Sequence, residues 1–583
     1  MVITILSWIY IFIISLVCGL TVNRLLSKLI PVPSYETDRH FGITGLVVTG
    51  LVTLTVYAEV FSIFYKVGAV CHLVMLALVA AGGFLYKNEV KGLLDSVLNR
   101  WKSLSVNAKL VMLLIVLAGA FFSSNGTFHT DTGIYHAQAI RMLEEYGILK
   151  GLGNLQLHFA YNSSYLPLCA LFTMSFVLPF PLHSMTGFFM VLFSCYAAIG
   201  LFEFKKHKRH GGDFARIAVL VYALTNMTGL QSPATDYSTM FMTLYVMCAW
   251  LCYAQESALE VPQERNQRNN LVRSDIAFYG YLAVLSIFTV SMKLSAALLV
   301  ILAILPAAYL IKNKMYKELG LFLLIGFLSF LPYMIRNVIL SGWLFYPVAS
   351  IDLFNVIWKI PAEYMKVDSD QIKVWGRCLY DIKRVDEGPM SWLPIWWSEK
   401  QHYEVMLIYS QFVGALLLAI TAIFKIREKK LNFAVVIFYV TIIANLVLWF
   451  FTAPFIRYGL AFLLLLPLCA FGDMLYYIVS KKSIVLALVA SLVVINFCSW
   501  IDNYFMDDMV FVKHNVMAGH YLTPVDFDKG TMTTFDMDGL TVYVAGIDEV
   551  NSYYANPGSC YDFMVERTEL IGDSIKEGFK PRQ

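Results

Sequence analysis

Charged residues are scarce in this sequence, and their scarcity excludes an ordinary soluble enzyme. They make up 15% of the 583 residues, whereas soluble domains contain roughly 25%. The 44 basic and 41 acidic residues nearly cancel, which leaves a net charge of +3 and predicts no nucleic-acid partner. Hydrophobic residues reach 58% of the chain, and the mean hydropathy is +0.64. This composition predicts a polytopic membrane protein surrounded by membrane lipids.

Motifs for metal and nucleotide chemistry are also missing. The ten cysteines are scattered, with no CxxC pair and no metal-ligand spacing. The sequence has no GxxxxGK(S/T) motif and no nucleotide-sized polar segment on the predicted inner side. An ATP-driven pump is therefore not expected.

Apolar runs of about 20 residues predict the membrane spans. The runs lie near 3–22, 43–65, 67–86, 108–124, 215–230, 236–256, 276–290, 294–311, 319–335, 406–424, 432–452, 455–478 and 483–500. A further apolar stretch, 164–202, is interrupted by prolines. We expect 164–181 to form a short re-entrant or interfacial element and the rest of that stretch to cross once. The predicted fold is an all-α polytopic bundle with about 14 net crossings.

Short loops rich in Lys and Arg mark the cytoplasmic side of a membrane. The basic loops are 24–39, 87–109, 205–216, 265–273, 312–317, 425–430 and 481–482. They alternate with the remaining loops if the N-terminus is outside, which also places the loops 125–163 and 336–405 outside. We therefore predict a transmembrane module over 1–501 and a small extracytoplasmic mixed α/β tail over 502–583, with a strand at 540–545.

The first outer loop, 125–163, contains candidate catalytic and binding residues. Apolar residues recur there at helical spacing, at Tyr135, Ala139, Met142, Leu143 and Tyr146, with Arg141 and Glu144 opposite. This pattern predicts a short amphipathic helix lying in the membrane interface. Asp131 stands at the start of that helix, where its carboxylate either caps the helix or acts as a general base. His158 and Asn162 lead the chain back into the membrane.

Further polar residues stand at predicted span ends on the same side of the membrane. They are Asp236, Lys293, Arg336 with Asn337, and Arg457 with Tyr458. For each of these residues taken alone, the alternative interpretation is a side chain that snorkels to the membrane interface. Together they are harder to explain, because ionisable residues at this depth are costly unless paired or functional. Together with Asp131, they supply three cations (Lys293, Arg336 and Arg457) and two carboxylates (Asp131 and Asp236). The cations suit a phosphate-bearing ligand, and a carboxylate suits an acid–base step.

The order of these features points to a known superfamily. A span is followed by an outer loop with Asp131 and Tyr135 at i,i+4, an interfacial helix that ends in glycine, and a proline-broken membrane element. This order resembles the multispan glycosyltransferases of the GT-C fold, which include the protein mannosyltransferases, the aminoarabinose transferases and the oligosaccharyltransferase catalytic subunit. The strings HTDTGIYHAQAI, GLGNLQLHFAYNSS, IRNVILSGWLFYP, PFIRYG and SCYDFMVERTELIGDSIKEGFK look similar to a bacterial membrane-protein group associated with surface-polysaccharide synthesis.

The resemblance implies an inverting glycosyltransferase in the bacterial inner (plasma) membrane. Its donor would be a sugar linked to polyprenyl phosphate or pyrophosphate, and its acceptor a glycan or lipid on the outer face. Asp131 takes the place of the catalytic acidic residue of the first loop. Many relatives carry two adjacent acidic residues there, whereas Thr132 follows Asp131 here. No cofactor is therefore assigned with certainty, and the use of a divalent metal is left open.

Two alternative functions remain at this point. A polysaccharide polymerase or ligase shares the same lipid-phosphate chemistry, and the sequence separates it poorly from a transferase. A lipid-linked glycan flippase or transporter belongs to a different class. Transporters place ionisable groups near the middle of the bilayer and often contain internal repeats. The charges here cluster at span ends and no repeat is evident, which argues against transport.

Overall fold

The computed structural model describes residues 1–36, 38, 40–126, 128–202, 211–257, 265–478, 516–517, 519–527, 532–545 and 553–582, and this part of the chain is mostly helical. The first ten α-helices are α1 (Val2–Leu26), α2 (Gly42–Phe64), α3 (Ala69–Leu85), α4 (Lys87–Ser103), α5 (Val106–Asn125), α6 (Ala137–Glu145), α7 (Leu152–Leu155), α8 (Tyr165–Phe172), α9 (Met185–Phe202) and α10 (Gly212–Thr225). The next ten are α11 (Thr235–Ser257), α12 (Arg265–Met292), α13 (Ile304–Lys312), α14 (Tyr316–Ser341), α15 (Ala362–Gly376), α16 (Pro389–Ser398), α17 (His402–Arg427), α18 (Phe433–Thr452), α19 (Ile456–Ile478) and α20 (Asp562–Glu566). A π turn covers Thr132–His136, and 3-10 helices cover Leu157–Tyr161, Met227–Gly229, Leu294–Ala303, Ile382–Arg384 and Ile575–Glu577.

Within the described residues, 11 helices are long and apolar enough to cross a membrane, or 12 if the bent pair α3–α4 counts as one span. They are α1, α2, α5, α9, α11, the apolar part of α12, the continuous segment Leu294–Lys312, α14, α17, α18 and α19. This set of helices agrees with the prediction of an all-α polytopic membrane protein.

Three predicted spans are not in this set. The run at 67–86 forms α3, which has 17 residues and turns by 91° into the polar helix α4. The run at 215–230 forms α10, which has 14 residues and is shorter than the roughly 20 that a perpendicular span requires. The run at 483–500 lies outside the described residues, as do the basic positions 205–209 and 481–482.

The proline-broken stretch 164–202 contains one helix long enough to cross. Its first helix, α8, has 8 residues, and all of them are buried. A helix of this length reaches only about 12 Å, whereas the hydrocarbon core is about 30 Å thick. The chain then turns before α9 begins at Met185. The predicted short element is present as α8, and the stretch contains one helix of spanning length, α9.

The span α11 lies at the centre of the bundle and positions the polar residues of the site. It is the most enclosed of the 11 candidate spans and packs against α9, α10, α12, α18 and α19. Asp236 is the second residue of α11, Lys293 follows the last residue of α12, and Arg457 is the second residue of α19. Because these three helices are neighbours, their charged ends meet.

The described part of the tail forms small sheets, as the sequence predicted. The strands are β1 (Met532–Met537), β2 (Leu540–Ala545), β3 (Gly558–Ser559), β4 (Thr568–Leu570) and β5 (Phe579–Pro581). β1 pairs antiparallel with β2, β2 pairs parallel with β3, and β4 pairs antiparallel with β5. The predicted strand at 540–545 is β2, so that prediction is confirmed.

The tail packs directly on the first outer loop. The backbone N–H of Phe579 donates to the carbonyl of Lys150 at 2.8 Å. The hydroxyls of Ser559 and Thr568 donate to carbonyls at the end of α7, both at 2.9 Å. These contacts place the tail and the loop 125–163 on the same side of the membrane.

Topology reporters should therefore give the same answer at the loop and at the tail. We expect alkaline phosphatase fused after residue 583 to be active, because the basic loops then lie inside. A cytoplasm-dependent fluorescent fusion at the same position should be dark. A cysteine introduced into the loop 125–163 should react with an impermeant thiol reagent in intact cells. A bright C-terminal fluorescent fusion would invert the topology and move the site to the cytoplasmic face.

Candidate functional site

Asp131 precedes the π turn Thr132–His136, which leads into α6. Its side chain makes no capping hydrogen bond to the backbone of this turn. The capping interpretation, in which the carboxylate accepts bonds from the first N–H groups, is therefore not what the structure shows. The carboxylate instead faces the side chains of His129 and Arg457.

The prediction that Glu144 lies on an exposed polar face of α6 is wrong. Glu144, expected on the polar face, is only 6% exposed. Its carboxylate accepts hydrogen bonds from Thr173, Ser175 and Tyr553, and burial raises its pKa. The segment after α8 and the tail thus both contact α6 at Glu144. Helical periodicity shows which face of α6 is apolar. It does not show that a segment distant in sequence buries the polar face.

Arg457 bridges the two carboxylates of the site. Its Nη2 lies 3.4 Å from Asp131 Oδ2 and its Nε lies 3.7 Å from Asp236 Oδ2. Its Nη1 lies 2.5 Å from His129 Nε2, and His129 Nδ1 lies 3.6 Å from the same oxygen of Asp131. One guanidinium therefore holds residues from the first outer loop and from α11 together.

Lys293 adds a second cation on the far side of Asp236. Its ammonium group pairs with the Asp236 carboxylate and lies 3.9 Å from the ring centre of Tyr458, a cation–π contact. The structure thus brings together five predicted residues: Asp131, Asp236, Lys293, Arg457 and Tyr458. We call these five residues and His129 the Arg457 cluster.

The charges of the Arg457 cluster fix the protonation of Asp131. Burial alone would raise its pKa, but the neighbouring cations, above all Arg457, outweigh burial and hold the pKa below its ordinary value. Asp131 is therefore ionised at physiological pH. Burial lowers the pKa of His129, so its imidazole is neutral there and can accept the Arg457 hydrogen bond.

Tyr135 and His158 lie beside this cluster and connect it to the second outer loop. Their rings stack at 5.3 Å between centroids. His158 Nε2 lies 4.0 Å from Asp368 Oδ1, and the hydroxyls of Tyr161 and Tyr346 donate to Asp368 Oδ2 at 2.5 and 3.0 Å. Asp368 could not be recognised from the sequence, because it lies in the polar helix α15, whose composition is typical of a protein surface.

Arg336 is placed apart from the Arg457 cluster, which corrects the expectation of one shared site. It is 3% exposed, and its Nε and Nη1 donate to Asn162 Oδ1 at 3.0 Å and to Ser62 Oγ at 3.3 Å. Asn162 Nδ2 in turn donates to Asn337 Oδ1 at 3.0 Å. Among the described residues, Arg336 makes no hydrogen bond or ion pair with the Arg457 cluster. Arg336, Asn162 and Asn337 form a buried structural network between α14 and the first loop.

Loss of the Arg336 charge should destabilise the protein. Arg336 is buried and donates to the buried Asn162 Oδ1, and leaving such a buried acceptor without its donor costs about 1–3 kcal/mol. Arg336→Leu should therefore lower the melting temperature in detergent. Arg384→Leu is the matched control, because Arg384 pairs with Glu387 in an outer loop, where ion pairs contribute little. An unchanged melting temperature with lost ligand binding would return Arg336 to the binding site.

No group of three or more His, Cys, Asp or Glu side chains within the described ranges is arranged to hold a metal ion. Two histidines of the loop, His129 and His136, were missed by the sequence analysis. The string HTDTGIYH contains both, but spacing alone does not indicate which of its polar side chains turn inward.

Comparison with known proteins gives one match. The profile of a family described as a domain of unknown function (DUF8201) matches residues 1–464, which include every residue of the Arg457 cluster. No curated protein and no solved structure matches the chain. Because the match covers most of the sequence, this chain belongs to the DUF8201 family.

Proposed function

We propose that this protein is a membrane glycosyltransferase. It moves a sugar from a polyprenyl-phosphate or polyprenyl-pyrophosphate donor to a glycan or lipid acceptor at the outer face of the bacterial plasma membrane. The observation that carries the proposal is the Arg457 cluster, in which two cations and two carboxylates meet at the ends of neighbouring spans. Phosphate binding and proton transfer require these two kinds of group side by side.

The proposed reaction is a single displacement, which accounts for the inversion that the GT-C resemblance implies. The acceptor oxygen forms a bond to the anomeric carbon while the bond from that carbon to the phosphate oxygen breaks. Asp131 accepts the proton of the acceptor hydroxyl. The bonding electron pair leaves on the lipid phosphate, whose growing charge Arg457 and Lys293 stabilise. Arg457 offers the phosphate a planar fork of donors, and Lys293 offers a point charge.

The pairing of Arg457 with Asp131 suggests how donor binding activates the base. Without ligand, Arg457 helps to hold the pKa of Asp131 low, which makes this carboxylate a weak proton acceptor. A donor phosphate competes for the same guanidinium. As Arg457 turns to the phosphate, Asp131 loses part of its counter-charge, its pKa rises, and its basicity increases when the sugar is in place.

The position of the charged residues at helix ends favours a transferase over a transporter. Asp236 and Arg457 occupy the second residue of α11 and of α19, and Lys293 follows α12 directly. A transport site is expected near the middle of the spans. Residues at the outer ends are instead within reach of a lipid headgroup whose tail lies between the spans.

Glycan analysis of a deletion strain tests this function. We expect the deletion to remove one sugar from a surface glycan or lipid and to accumulate the corresponding polyprenyl-linked donor, both measured by mass spectrometry. The wild-type gene should restore both, and a gene encoding Asp131→Asn should restore neither. Complete repeat units that fail to lengthen would favour the polymerase or ligase alternative. Unchanged glycans and lipid-linked intermediates would end the proposal.

A further inference from the structure

His136 is a buried histidine that lacks the hydrogen bonds a buried histidine normally makes. It ends the π turn after Asp131 and is 1% exposed. Among the described residues, neither of its ring nitrogens has a hydrogen-bond partner. Buried polar groups are nearly always paired, and leaving one unpaired costs free energy. His136 therefore has a donor and an acceptor that no described residue uses.

The unpaired imidazole belongs to the candidate site by position. Its ring lies 4.1 Å from that of Tyr135, centre to centre, and it interacts electrostatically with Asp131, Asp236 and Lys293. Arg457 Nε, in the Arg457 cluster, also lacks a hydrogen-bond partner within the described part of the chain. Two unsatisfied buried groups from different elements thus occur in one place.

The chemistry of His136 restricts the class of ligand. Burial lowers its pKa to about 3, so the ring is neutral at physiological pH. A neutral imidazole offers one N–H donor and one acceptor nitrogen. A fully ionised phosphate oxygen can only accept and an ammonium group can only donate, whereas a hydroxyl does both. The complementary ligand is therefore a neutral group rich in hydroxyls.

We propose that His136 binds a hydroxyl group of the donor sugar beside the carboxylate of Asp131. The sugar is the nearest hydroxyl-bearing part of a ligand whose phosphate lies at Arg457 and Lys293. This inference rests on the proposed transferase function and adds a residue that recognises the sugar itself.

A matched pair of histidine variants tests whether His136 is unsatisfied. His72 is also buried, at 4% exposure, but its Nε2 bonds to the Tyr10 hydroxyl at 2.6 Å and its Nδ1 to the Leu171 carbonyl at 3.0 Å. His72→Leu removes these bonds and should lower the melting temperature of the protein without added ligand. His136→Leu removes only unpaired polar atoms and should raise it.

Binding measurements then test which ligand His136 recognises. The probes are short polyprenyl phosphates linked to glucose, galactose, mannose or N-acetylglucosamine, together with the same polyprenyl phosphate without a sugar. Wild-type protein should bind at least one sugar-linked probe more tightly than the bare phosphate. His136→Leu should weaken that binding roughly tenfold and leave binding of the bare phosphate unchanged. His136→Gln should restore part of the loss, because an amide also donates and accepts.

The outcomes separate this inference from the function on which it rests. Wild-type protein that binds no sugar-linked probe better than the bare phosphate would overturn the proposed function, and with it the ligand assigned to His136. If wild-type protein prefers a sugar and His136→Leu keeps that preference, only the inference fails. A fall in melting temperature in His136→Leu as large as that in His72→Leu would also overturn it, because His136 would then be serving the fold.

Discussion

Asp131→Asn is expected to lower sugar transfer by roughly 10²–10⁴-fold in a protein that still folds. The amide has the same size as the carboxylate but cannot accept the proton of the acceptor hydroxyl. Since the Asp131 side chain makes no capping bond, its replacement should leave α6 and the surrounding loop in place. Transfer from lipid-linked donor to acceptor should be measured beside expression level and melting temperature.

Two further variants, Asp131→Glu and Asp370→Asn, serve as comparisons for Asp131→Asn. Asp131→Glu moves the carboxylate by about one methylene, and because small misplacements are themselves costly, it should be impaired but measurable. Asp370→Asn is the matched control, since Asp370 lies in the second outer loop and its carboxylate pairs with Lys373 outside the Arg457 cluster; it should transfer normally. Near-normal transfer by well-folded Asp131→Asn would shift the base to Asp236 or end the transferase proposal.

Arg457→Ala is expected to weaken donor binding by about 2–5 kcal/mol. The variant removes the guanidinium that we assign to the donor phosphate, and it also leaves Asp131 and Asp236 without their shared counter-charge. Arg457→Lys should rescue binding only in part, because a single ammonium group cannot reproduce the bidentate geometry. Affinity for the bare polyprenyl phosphate is the direct measurement, since it isolates the phosphate contact from the sugar.

The half-buried arginine Arg384 provides the control for charge alone. Arg384→Ala removes one positive charge from an outer loop, where Arg384 pairs with Glu387, and should leave donor affinity unchanged. If Arg457→Ala also binds donor and turns over normally, Arg457 serves only to anchor the protein to lipid headgroups. The phosphate site would then have to be sought elsewhere.

From the sequence, the depth of the polar residues in the membrane was easier to predict than which of them are in contact. Apolar runs and basic loops placed Asp236, Lys293, Arg336 and Arg457 near one membrane surface. Hydropathy does not determine which spans are neighbours, so it could not separate Arg336, buried beside α2 and the first loop, from the other three. Whether two residues at one depth meet depends on helix packing around the bundle, and one sequence does not contain that information directly.

The burial of individual polar side chains could not be predicted from the sequence either. Glu144 looked solvent-facing on a helical wheel, but residues after α8 and in the tail bond to its carboxylate. His136 looked like part of the same polar string as His129, yet only His136 lacks partners for both ring nitrogens. Local spacing reports which face of a helix a residue occupies. The segments that pack against that face come from distant parts of the chain.

The docking of the tail on the first outer loop also sets an order of events during synthesis. Tyr553, whose hydroxyl bonds to Glu144, follows it by 409 positions, which a ribosome needs roughly 20–80 s to translate at 5–20 residues per second. Throughout that interval the Glu144 carboxylate lacks its bond to Tyr553, and the end of α7 lacks its bonds to Ser559 and Thr568. The loop that carries Asp131 therefore reaches its final surroundings only after α19, which supplies Arg457, has been made.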